Sequence, residues 1–338
     1  MARALIALSG GVDSSVAAYL MKQAGYDCVG ASLRLLDSAD TADAKTVAKA
    51  LDIPFYAFDM REEFKKEIIQ EFISSYENGL TPNPCVICNR VFKFGYLYDK
   101  AKELGCDYIV TGHYAKIVEQ NGEFSLRKSQ NTAKDQSYFL YSVKSDMLPK
   151  IIFPLEDYSK DEIRKIAADL GFSTATKKDS QDICFIPNGD YAAVIESLTG
   201  KDYKKGDFID LNGKKLGTHS GIIRYTIGQR KGLGIALGKP MFVGKKDATA
   251  NTVTLCDDNE LYSDSLVAKE FNWLKKPDVA EFTCKARIRY RHIEQPATVT
   301  LEGDKVYIKF NEPQRAITPG QSVVLYDDDM VLGGGIIE

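Results

Sequence analysis

The sequence predicts an α/β N-terminal domain with a parallel sheet, followed by a small β-rich central domain and a C-terminal β-barrel. Strand and helix patterns alternate over the first half of the chain, and the helical pattern fades from Gly206 onward. A chain of 338 residues also exceeds the size of one ordinary hydrophobic core. We therefore expect three domains, at residues 1–200, 201–268 and 269–338.

The first half of the chain has the pattern of consecutive strand–helix–strand units. After the first strand and helix, we expect strands at 28–33, 53–58 and 108–110, and helices at 42–51, 62–77 and 92–104. Such units build a parallel sheet that is covered by helices on both faces. Ligands bind at the carboxyl ends of these strands, where Ser9–Ser15 and Thr111–His113 would both lie.

The second half contains short strands separated by turns, and one of its strands is strongly basic. A further β segment begins near Phe271 and ends at Gly333–Gly335. Within it, every second position of 285–291 is basic, so that a strand would place four cations on one face: Lys285, Arg287, Arg289 and Arg291. A solvated face tolerates such a row, and a polyanion would bind it.

The composition predicts a cytoplasmic protein that does not associate with a membrane. The formal net charge is −3, so a nucleic-acid partner would need a local basic surface. The seven cysteines are an odd number and suit a reducing compartment better than a disulfide framework. No apolar run approaches the roughly 20 residues that span a bilayer, and the N-terminal segment lacks the pattern of a signal peptide.

A glycine-rich turn joins the first strand to the first helix, at Ser9–Ser15 (Ser-Gly-Gly-Val-Asp-Ser-Ser). Gly10 and Gly11 allow the backbone to approach an anion, which the amides at the helix start would face. The Gly-Lys-Ser/Thr ending of a Walker A loop is absent. The turn resembles the Ser-Gly-Gly-x-Asp-Ser pyrophosphate loop of enzymes that cleave ATP to AMP and pyrophosphate. We therefore predict that the chain binds ATP and activates a substrate as an adenylate.

Three cysteines form a second candidate site. Cys85 and Cys88 stand in the segment 81–90 (Thr-Pro-Asn-Pro-Cys-Val-Ile-Cys-Asn-Arg), which its two prolines predict to be extended and rigid. The Cys-x-x-Cys spacing lets both thiols reach one partner. Cys184 follows Lys177 and Lys178, and lysines near a thiol favour its thiolate. These residues predict thiol chemistry or metal binding.

Over essentially the whole chain, these stretches resemble one family, the tRNA-specific 2-thiouridylases, which thiolate the wobble uridine of tRNA. Besides the loop and the cysteines, the matching stretches are 81–84 (Thr-Pro-Asn-Pro), 111–114 (Thr-Gly-His-Tyr), 134–140 (Lys-Asp-Gln-Ser-Tyr-Phe-Leu), 225–234 (Tyr-Thr-Ile-Gly-Gln-Arg-Lys-Gly-Leu-Gly) and 289–291 (Arg-Tyr-Arg). The resemblance implies an adenine-nucleotide alpha-hydrolase-like (PP-loop) first domain. It also implies ATP and Mg²⁺ as cofactors, tRNA as partner, and a sulfur donor protein or inorganic sulfide.

The resemblance implies a role for each matching residue. Cys88 would be the nucleophile and Cys184 the persulfide carrier. The residues that would contact ATP are Ala7, Leu8, Ser9, Gly10, Gly11, Val12, Asp13, Ser14, Leu33 and Gly112. Those that would approach the target base are Asn83, Pro84 and Cys85, and those that would contact the rest of the tRNA are Lys134, Asp135, Gln136, Arg289 and Tyr290.

One position departs from the family pattern, because Cys85 stands where the well-known members carry Asp. With Cys88 and Cys184 it looks like the iron–sulfur-dependent tRNA thiolases of the same superfamily, in which three cysteines hold a cluster. Three thiolates on a [4Fe-4S] cluster would leave one iron open to external sulfide. A persulfide relay without metal is the alternative, and zinc is a third, although structural zinc usually has a fourth protein ligand.

The expected reaction has two steps. ATP adenylates O2 of the wobble uridine and releases pyrophosphate, and sulfur then replaces AMP at C2, which requires a flipped-out base. An amide-forming adenylating synthetase of the same superfamily is one alternative, but it needs neither three cysteines nor a basic barrel. A non-catalytic RNA-binding protein is another, but it would have no use for the ATP loop. Pyrophosphate release that depends on added tRNA separates the three.

Overall fold

A parallel sheet forms the centre of the N-terminal domain. The computed structural model describes residues 1–38, 40–177 and 182–338. Within them, this sheet contains β1 (Arg3–Ala7), β2 (Asp27–Arg34), β3 (Phe55–Asp59), β4 (Tyr108–Val110) and β7 (Ile151–Ile152). The strand order is β3-β2-β1-β4-β7, and every neighbouring pair is parallel. The predicted α/β class is confirmed.

Two groups of helices cover the two faces of the sheet, because alternate residues of β1 point into different cores. Ala4 and Ile6 pack with α1, α2 and α7, whereas Leu5 packs with α5 and α6. The helices of the described residues are α1 (Val12–Gln23), α2 (Ala42–Ala50), α3 (Arg61–Phe64), α4 (Gln70–Glu77), α5 (Pro84–Cys88), α6 (Leu97–Glu103), α7 (Lys160–Asp169) and α8 (Tyr191–Thr199). π-helical segments join α3 to α4 (Lys65–Ile69) and α5 to α6 (Asn89–Tyr96).

The strand order reverses between β1 and β4. From β1 the chain runs outward to β2 and β3, and it returns to the other side of β1 to form β4 and β7. The loops that follow β1 and β4 therefore leave the sheet in different directions and open a crevice between them, which is where doubly wound sheets bind ligands. The glycine-rich turn and Gly112 both lie at this crevice.

The central domain is a four-stranded sheet packed on the helical run α3–α4. Its strands are β8 (Gly206–Ile209), β9 (Lys215–His219), β10 (Phe242–Asp247) and β11 (Thr252–Cys256), in the order β10-β11-β8-β9. Phe208 and Val243 share a hydrophobic core with Phe64 and Phe72 of the first domain. The central domain thus has no separate core and depends on the helices against which it packs.

The C-terminal strands close into a barrel, as the sequence predicted. They are β12 (Tyr262–Trp273), β13 (Glu281–Arg287), β14 (Gln295–Glu302), β15 (Lys305–Arg315), β16 (Ser322–Asp327) and β17 (Met330–Ile337). The order is β12-β15-β14-β13-β16-β17, and pairing of β12 with β17 closes the ring.

A hairpin of β5 (Ala115–Gln120) and β6 (Glu123–Lys128) extends the barrel sheet, because Met330 of β17 pairs with Arg127. This hairpin comes from the segment assigned to the first domain, so the boundaries 1–200, 201–268 and 269–338 stay a prediction. Among the described residues, no helix has the length and apolar character needed to cross a membrane.

The interpretation of 285–291 as one basic strand is wrong. β13 ends at Arg287, and the next residues turn, with the His292 amide donating to the Arg289 carbonyl at 3.0 Å. The guanidinium of Arg287 turns inward, 3.7 Å from the buried carboxylate of Asp135 and over the rings of Tyr138 and Tyr290. The four basic side chains therefore do not share a solvated face, because aromatic and ionic contacts hold Arg287 inside.

Candidate active site

The glycine-rich turn presents uncapped amides to the crevice. Helix α1 follows Gly11, and no side chain caps its first turn. Gly10 has φ +75°, a backbone conformation that favours glycine. The Ser14 hydroxyl accepts from the Ser9 amide at 3.2 Å and donates to the Gly11 carbonyl at 3.0 Å, which fixes the curve of the turn. The turn has the geometry of an anion-binding helix start.

Gly112 must be glycine because β4 ends against this turn. A Cβ at Gly112 would lie 2.8 Å from the carbonyl carbon of Asp13 and 2.9 Å from the Ser14 nitrogen. Any larger residue would push the first turn of α1 away. Ala7 and Leu8 continue β1 into the turn, where the Leu8 amide donates to the Ala31 carbonyl at 2.7 Å. The structure thus brings most of the expected ATP contacts to one crevice, and Leu33 lies at the end of neighbouring β2.

Lys160, which sequence reasoning did not single out, reaches the same turn. Its Nζ lies 2.7 Å from each carboxylate oxygen of Asp13, and the Tyr114 hydroxyl donates to Asp13 Oδ1 at 2.7 Å. Lys160 is the first residue of α7, after the capping box of Ser159 and Glu162. Its charge stands beside the uncapped amides, where a phosphate would benefit from it. The turn lacks the lysine of a Walker A loop, but Lys160, 147 positions after Asp13 in the chain, brings a lysine to it.

Cys85 and Cys88 lie on a helix rather than on the extended loop that the sequence predicted. Pro84 is the first residue of α5, a position that suits proline because its φ is already helical and its missing N–H is not needed. The helix is fixed from the side of Ser137–Phe139, since Asn89 Nδ2 donates to the Phe139 carbonyl at 3.0 Å. The Ser142 hydroxyl donates to the Val86 carbonyl at 3.1 Å.

The three thiols lie close enough to influence one another, and the protein around them disfavours their charged forms. Burial raises the pKa of Cys85, and it raises the pKa of Cys88 to about 11, partly offset by Lys93. Cys184 is exposed on one side, yet desolvation by its surroundings still raises the pKa of its thiol. Lys177 pairs with Asp43, and the described cation that lowers the pKa of Cys184 is Lys93; Lys178 lies outside the described residues, so its expected effect on Cys184 stays a prediction.

The described residues contain no group of three His, Cys, Asp or Glu side chains placed to hold one metal ion. The described part of the chain therefore offers zinc no three-ligand site, whereas an iron–sulfur cluster, whose cysteines each bind a different iron, stays a prediction for Cys85, Cys88 and Cys184. All seven cysteines are free thiols.

Lys93 connects the thiols to the nucleotide crevice. Its Nζ lies 3.2 Å from Nε2 of His113, whose Nδ1 lies 2.7 Å from the Thr111 hydroxyl. Burial, and secondarily Lys93, lower the pKa of His113 well below its usual value, so the imidazole is neutral. The Lys93 charge lowers the pKa of all three thiols. Among the described residues, Lys93 is thus the cation whose charge reaches the whole sulfur site.

The raised thiol pKa values predict slow alkylation at neutral pH. With a pKa of about 11, Cys88 is a thiolate in only about one molecule in a thousand at pH 8, and the fraction rises about tenfold per pH unit. We expect the iodoacetamide rate at Cys88, followed by peptide mass spectrometry, to rise steadily up to pH 10. Lys93→Met should slow it severalfold at pH 9, whereas Lys100→Met, on an exposed pair with Glu103, should not. A plateau below pH 9 would contradict the burial effect.

Several residues that are predicted to contact RNA make contacts within the protein. Asp135 is buried and accepts from the Ser129 amide and the Ser137 hydroxyl, at 3.0 and 2.7 Å. Gln136 pairs with Tyr114, whose amide donates to Gln136 Oε1 at 3.0 Å. These contacts shape the segment that begins at Lys134. Tyr290 packs against Phe139 with ring centroids 4.4 Å apart and the rings tilted by 42°, and Arg289 donates to the Ala316 carbonyl of the barrel. None of this tests contact with RNA, which stays a prediction.

Three family models cover the chain. Residues 2–188 match a model described as a tRNA methyl transferase HUP domain, 194–257 match a tRNA methyl transferase PRC-barrel domain, and 263–337 match an aminomethyltransferase beta-barrel domain. A tRNA-specific 2-thiouridylase MnmA of Clostridioides difficile is 46% identical over 99% of this chain and 98% of its own length. The chain belongs to the tRNA-specific 2-thiouridylase family. It is an enzyme of the tRNA sulfurtransferase class.

Further thiouridylases match equally completely. The MnmA of Lachnoclostridium phytofermentans is 43% identical over 100% of this chain and 99% of its own length. Among solved structures, a 4-thiouridine synthetase bound to RNA and ATP covers 55% of this chain and 45% of its own, at 19% identity and a TM-score of 0.40. That last similarity is distant. The family model over the first domain describes a HUP fold, in agreement with the predicted PP-loop domain.

Proposed function

We propose that this thiouridylase converts the wobble uridine of tRNA to 2-thiouridine, using ATP to activate O2 and a persulfide on Cys184 to supply sulfur. The carrying observation is the continuity between the two sites. Gly112 abuts the phosphate turn at Asp13, and His113, the next residue, contacts Lys93 beside the three thiols. A base placed there would meet the α-phosphate of ATP on one side and sulfur on the other.

In the first step, O2 of the uridine attacks the α-phosphorus of ATP. The O2–P bond forms, the bond to the β-phosphate oxygen breaks, and pyrophosphate leaves. The amides at the start of α1, together with Lys160, would hold the negative charge that moves onto the pyrophosphate. Mg²⁺ would enter with the nucleotide, since it commonly binds through phosphates and few protein ligands. It would offset phosphate charge.

In the second step, the terminal sulfur of the Cys184 persulfide attacks C2, and AMP leaves with O2. The Cys88 thiolate then attacks Sγ of Cys184, breaks the sulfur–sulfur bond and leaves sulfur on C2. The two thiols thereby lose two electrons and form a disulfide, which an external thiol must reduce before the next turnover. Lys93 supports the thiolate at Cys88. The persulfide itself would come from a sulfur donor protein or from sulfide in the presence of an oxidant.

In this mechanism sulfur passes through Cys184 and Cys88, and no step uses a cluster; a cluster on Cys85, Cys88 and Cys184 is the alternative. The Asn83–Cys85 start of α5 would approach the base. The residues Lys134, Asp135, Gln136, Arg289 and Tyr290 would form or support the tRNA contact. Because Asp135 is buried, we assign it a supporting role, and Tyr290 offers a half-buried ring beside Phe139 for stacking.

The experiment that tests this function identifies the products made from ATP. Incubation with unmodified tRNA should release pyrophosphate, and AMP as well once a persulfide donor is present, with almost none of either when tRNA is omitted, because O2 of the base is the acceptor. ADP and phosphate instead would exclude adenylation. An amide-forming synthetase would release pyrophosphate without tRNA, and a binding protein would release none. Nucleoside analysis by mass spectrometry should then show 2-thiouridine once a persulfide donor is added.

A further inference from the structure

A turn of the barrel forms hydrogen bonds with the chain just before α5, the helix that carries Cys85 and Cys88. The Thr81 amide donates to the Pro319 carbonyl at 3.0 Å, and Gln321 Nε2 donates to the Thr81 carbonyl at 2.8 Å. We call residues 316–321 the barrel turn and residues 80–82 the entry segment. The entry segment runs through Asn83 directly into α5. One backbone and one side-chain hydrogen bond therefore connect the segment before the cysteine helix to the barrel.

Gly320 allows this contact. Its φ is +89°, and a Cβ there would lie 2.8 Å from the Thr81 nitrogen and 3.0 Å from Cβ of Leu80. The atoms in the way belong to the backbone or lie next to it, so they cannot swing aside. The close approach at Gly320 sets the distance between the barrel turn and the entry segment.

Arg289 holds the other end of the barrel turn. Its Nη2 donates to the Ala316 carbonyl at 2.6 Å and also contacts the Thr318 hydroxyl. Ala316 has φ +55°, a left-handed conformation that alanine adopts only when its surroundings impose it. The residue expected to meet tRNA thus shapes the same turn that holds the entry segment.

The central domain also contacts the entry segment. Lys246 Nζ donates to the Leu80 carbonyl at 3.4 Å and lies 5.6 Å from the centre of the Tyr76 ring. The space is close there too, because a Cβ on Gly79 would lie 3.5 Å from Cβ of Lys246. Both accessory domains therefore hold the entry segment that leads into α5.

We propose that the barrel turn is a positioning device for the reaction: through Gly320 it holds the entry segment, and so places the α5 cysteines relative to the tRNA bound by the barrel. The proposal rests on the proposed function. According to this proposal, the barrel has two roles: it binds tRNA, and it positions the α5 cysteines for the sulfur-transfer step. Gly320 and Lys246 are positioning residues, since neither touches a reacting atom.

The test is Gly320→Ala in the full-length enzyme. We expect kcat for thiolation to fall about 10- to 100-fold, because a shift of about 1 Å in a reacting group costs this much, while KM for tRNA stays within threefold. Gly303→Ala is the matched control, because Gly303 also has a positive φ, of +63°, in the barrel but has nothing within 4 Å of the added Cβ. It should retain kcat. A Gly320→Ala enzyme with the kcat of the control would overturn the proposal.

A second variant guards against misfolding. Lys246→Met keeps the bulk of the side chain and removes its bond to Leu80, so kcat should again fall more than tenfold with KM for tRNA nearly unchanged. Amide hydrogen exchange in 84–88 should rise in both variants and not in Gly303→Ala. If the wild-type enzyme makes no thiouridine, the proposed function fails. The exchange measurement still tests whether the contacts of Gly320 and Lys246 restrain α5. Unchanged amide exchange in both variants, or a rise in KM for tRNA without a fall in kcat, would refute the proposal that the barrel turn positions α5.

Discussion

Replacing Cys88 or Cys184 by serine is expected to abolish tRNA thiolation, by about four orders of magnitude or more, because each change removes a sulfur that forms and breaks bonds in the proposed relay. Adenylation uses neither sulfur, so pyrophosphate should still be released, up to about one equivalent per tRNA, while AMP stays bonded to O2 of the uridine. Cys284→Ser, at a half-buried barrel position, is the control and should remain active. Multiple-turnover thiolation by either Cys88→Ser or Cys184→Ser would refute the relay.

Cys85→Asp decides between the relay and a cluster. It restores the residue that the resemblance assigns to this position, and the relay uses only Cys88 and Cys184, so thiolation should stay within about threefold of wild type. If the three cysteines held a cluster, the variant should lose iron and activity together. Protein prepared without oxygen and assayed for iron and sulfide reads this out directly. Brown, iron-containing wild type with a dead Cys85→Asp variant would replace the relay by the cluster.

The second large effect is expected at the phosphate turn. Asp13→Ala removes the carboxylate that contacts the Lys160 ammonium at the turn, so we expect tRNA-dependent pyrophosphate release to fall about 10²- to 10³-fold, the usual cost of losing one preorganised charge contact. Lys160→Met should give a similar loss. The dissociation constant for tRNA should change less than twofold, since the turn lies in the nucleotide crevice.

Asp161→Ala is the matched control for this pair, because Asp161 is exposed beside Lys160 at the start of α7. It should keep full activity. Thermal unfolding of each variant separates loss of the fold from loss of function. Full pyrophosphate release by Lys160→Met would show that the lysine only neutralises Asp13 and has no part in holding the nucleotide.

The sequence predicted what depends on neighbouring residues. The Ser9–Ser15 turn, the parallel sheet and the closed barrel follow from local patterns of glycine, alternating strands and helices, and turns. It did not predict Lys160, because the contact to Asp13 joins residues 147 positions apart. The only local signal was the capping box at Ser159, which marks a helix start after a strand of the sheet.

Two errors have the same origin. The prolines at 82 and 84 predict an extended cysteine segment, yet proline suits the first position of a helix equally well, and the Ser142 hydroxyl bonds the Val86 carbonyl of that helix. Arg287 fitted a basic strand by spacing, yet Asp135 and Tyr138, about 150 residues earlier in the chain, drew it inside. The sequence does not predict the contact between Lys93 and His113, because this contact depends on the π-helical segment that carries Lys93.

The hairpin of β5 and β6 cannot complete its pairing until a much later part of the chain has been made. Its partners lie at the start of β17: the Lys128 amide donates to the Asp329 carbonyl at 2.8 Å, and Arg127 pairs with the Asp329 carboxylate at 2.8 Å. On the ribosome, the hairpin emerges about 200 residues before that partner exists, and until then it has an open edge. A chain that stops before Asp329 would therefore leave the edge of a segment made much earlier without its partner.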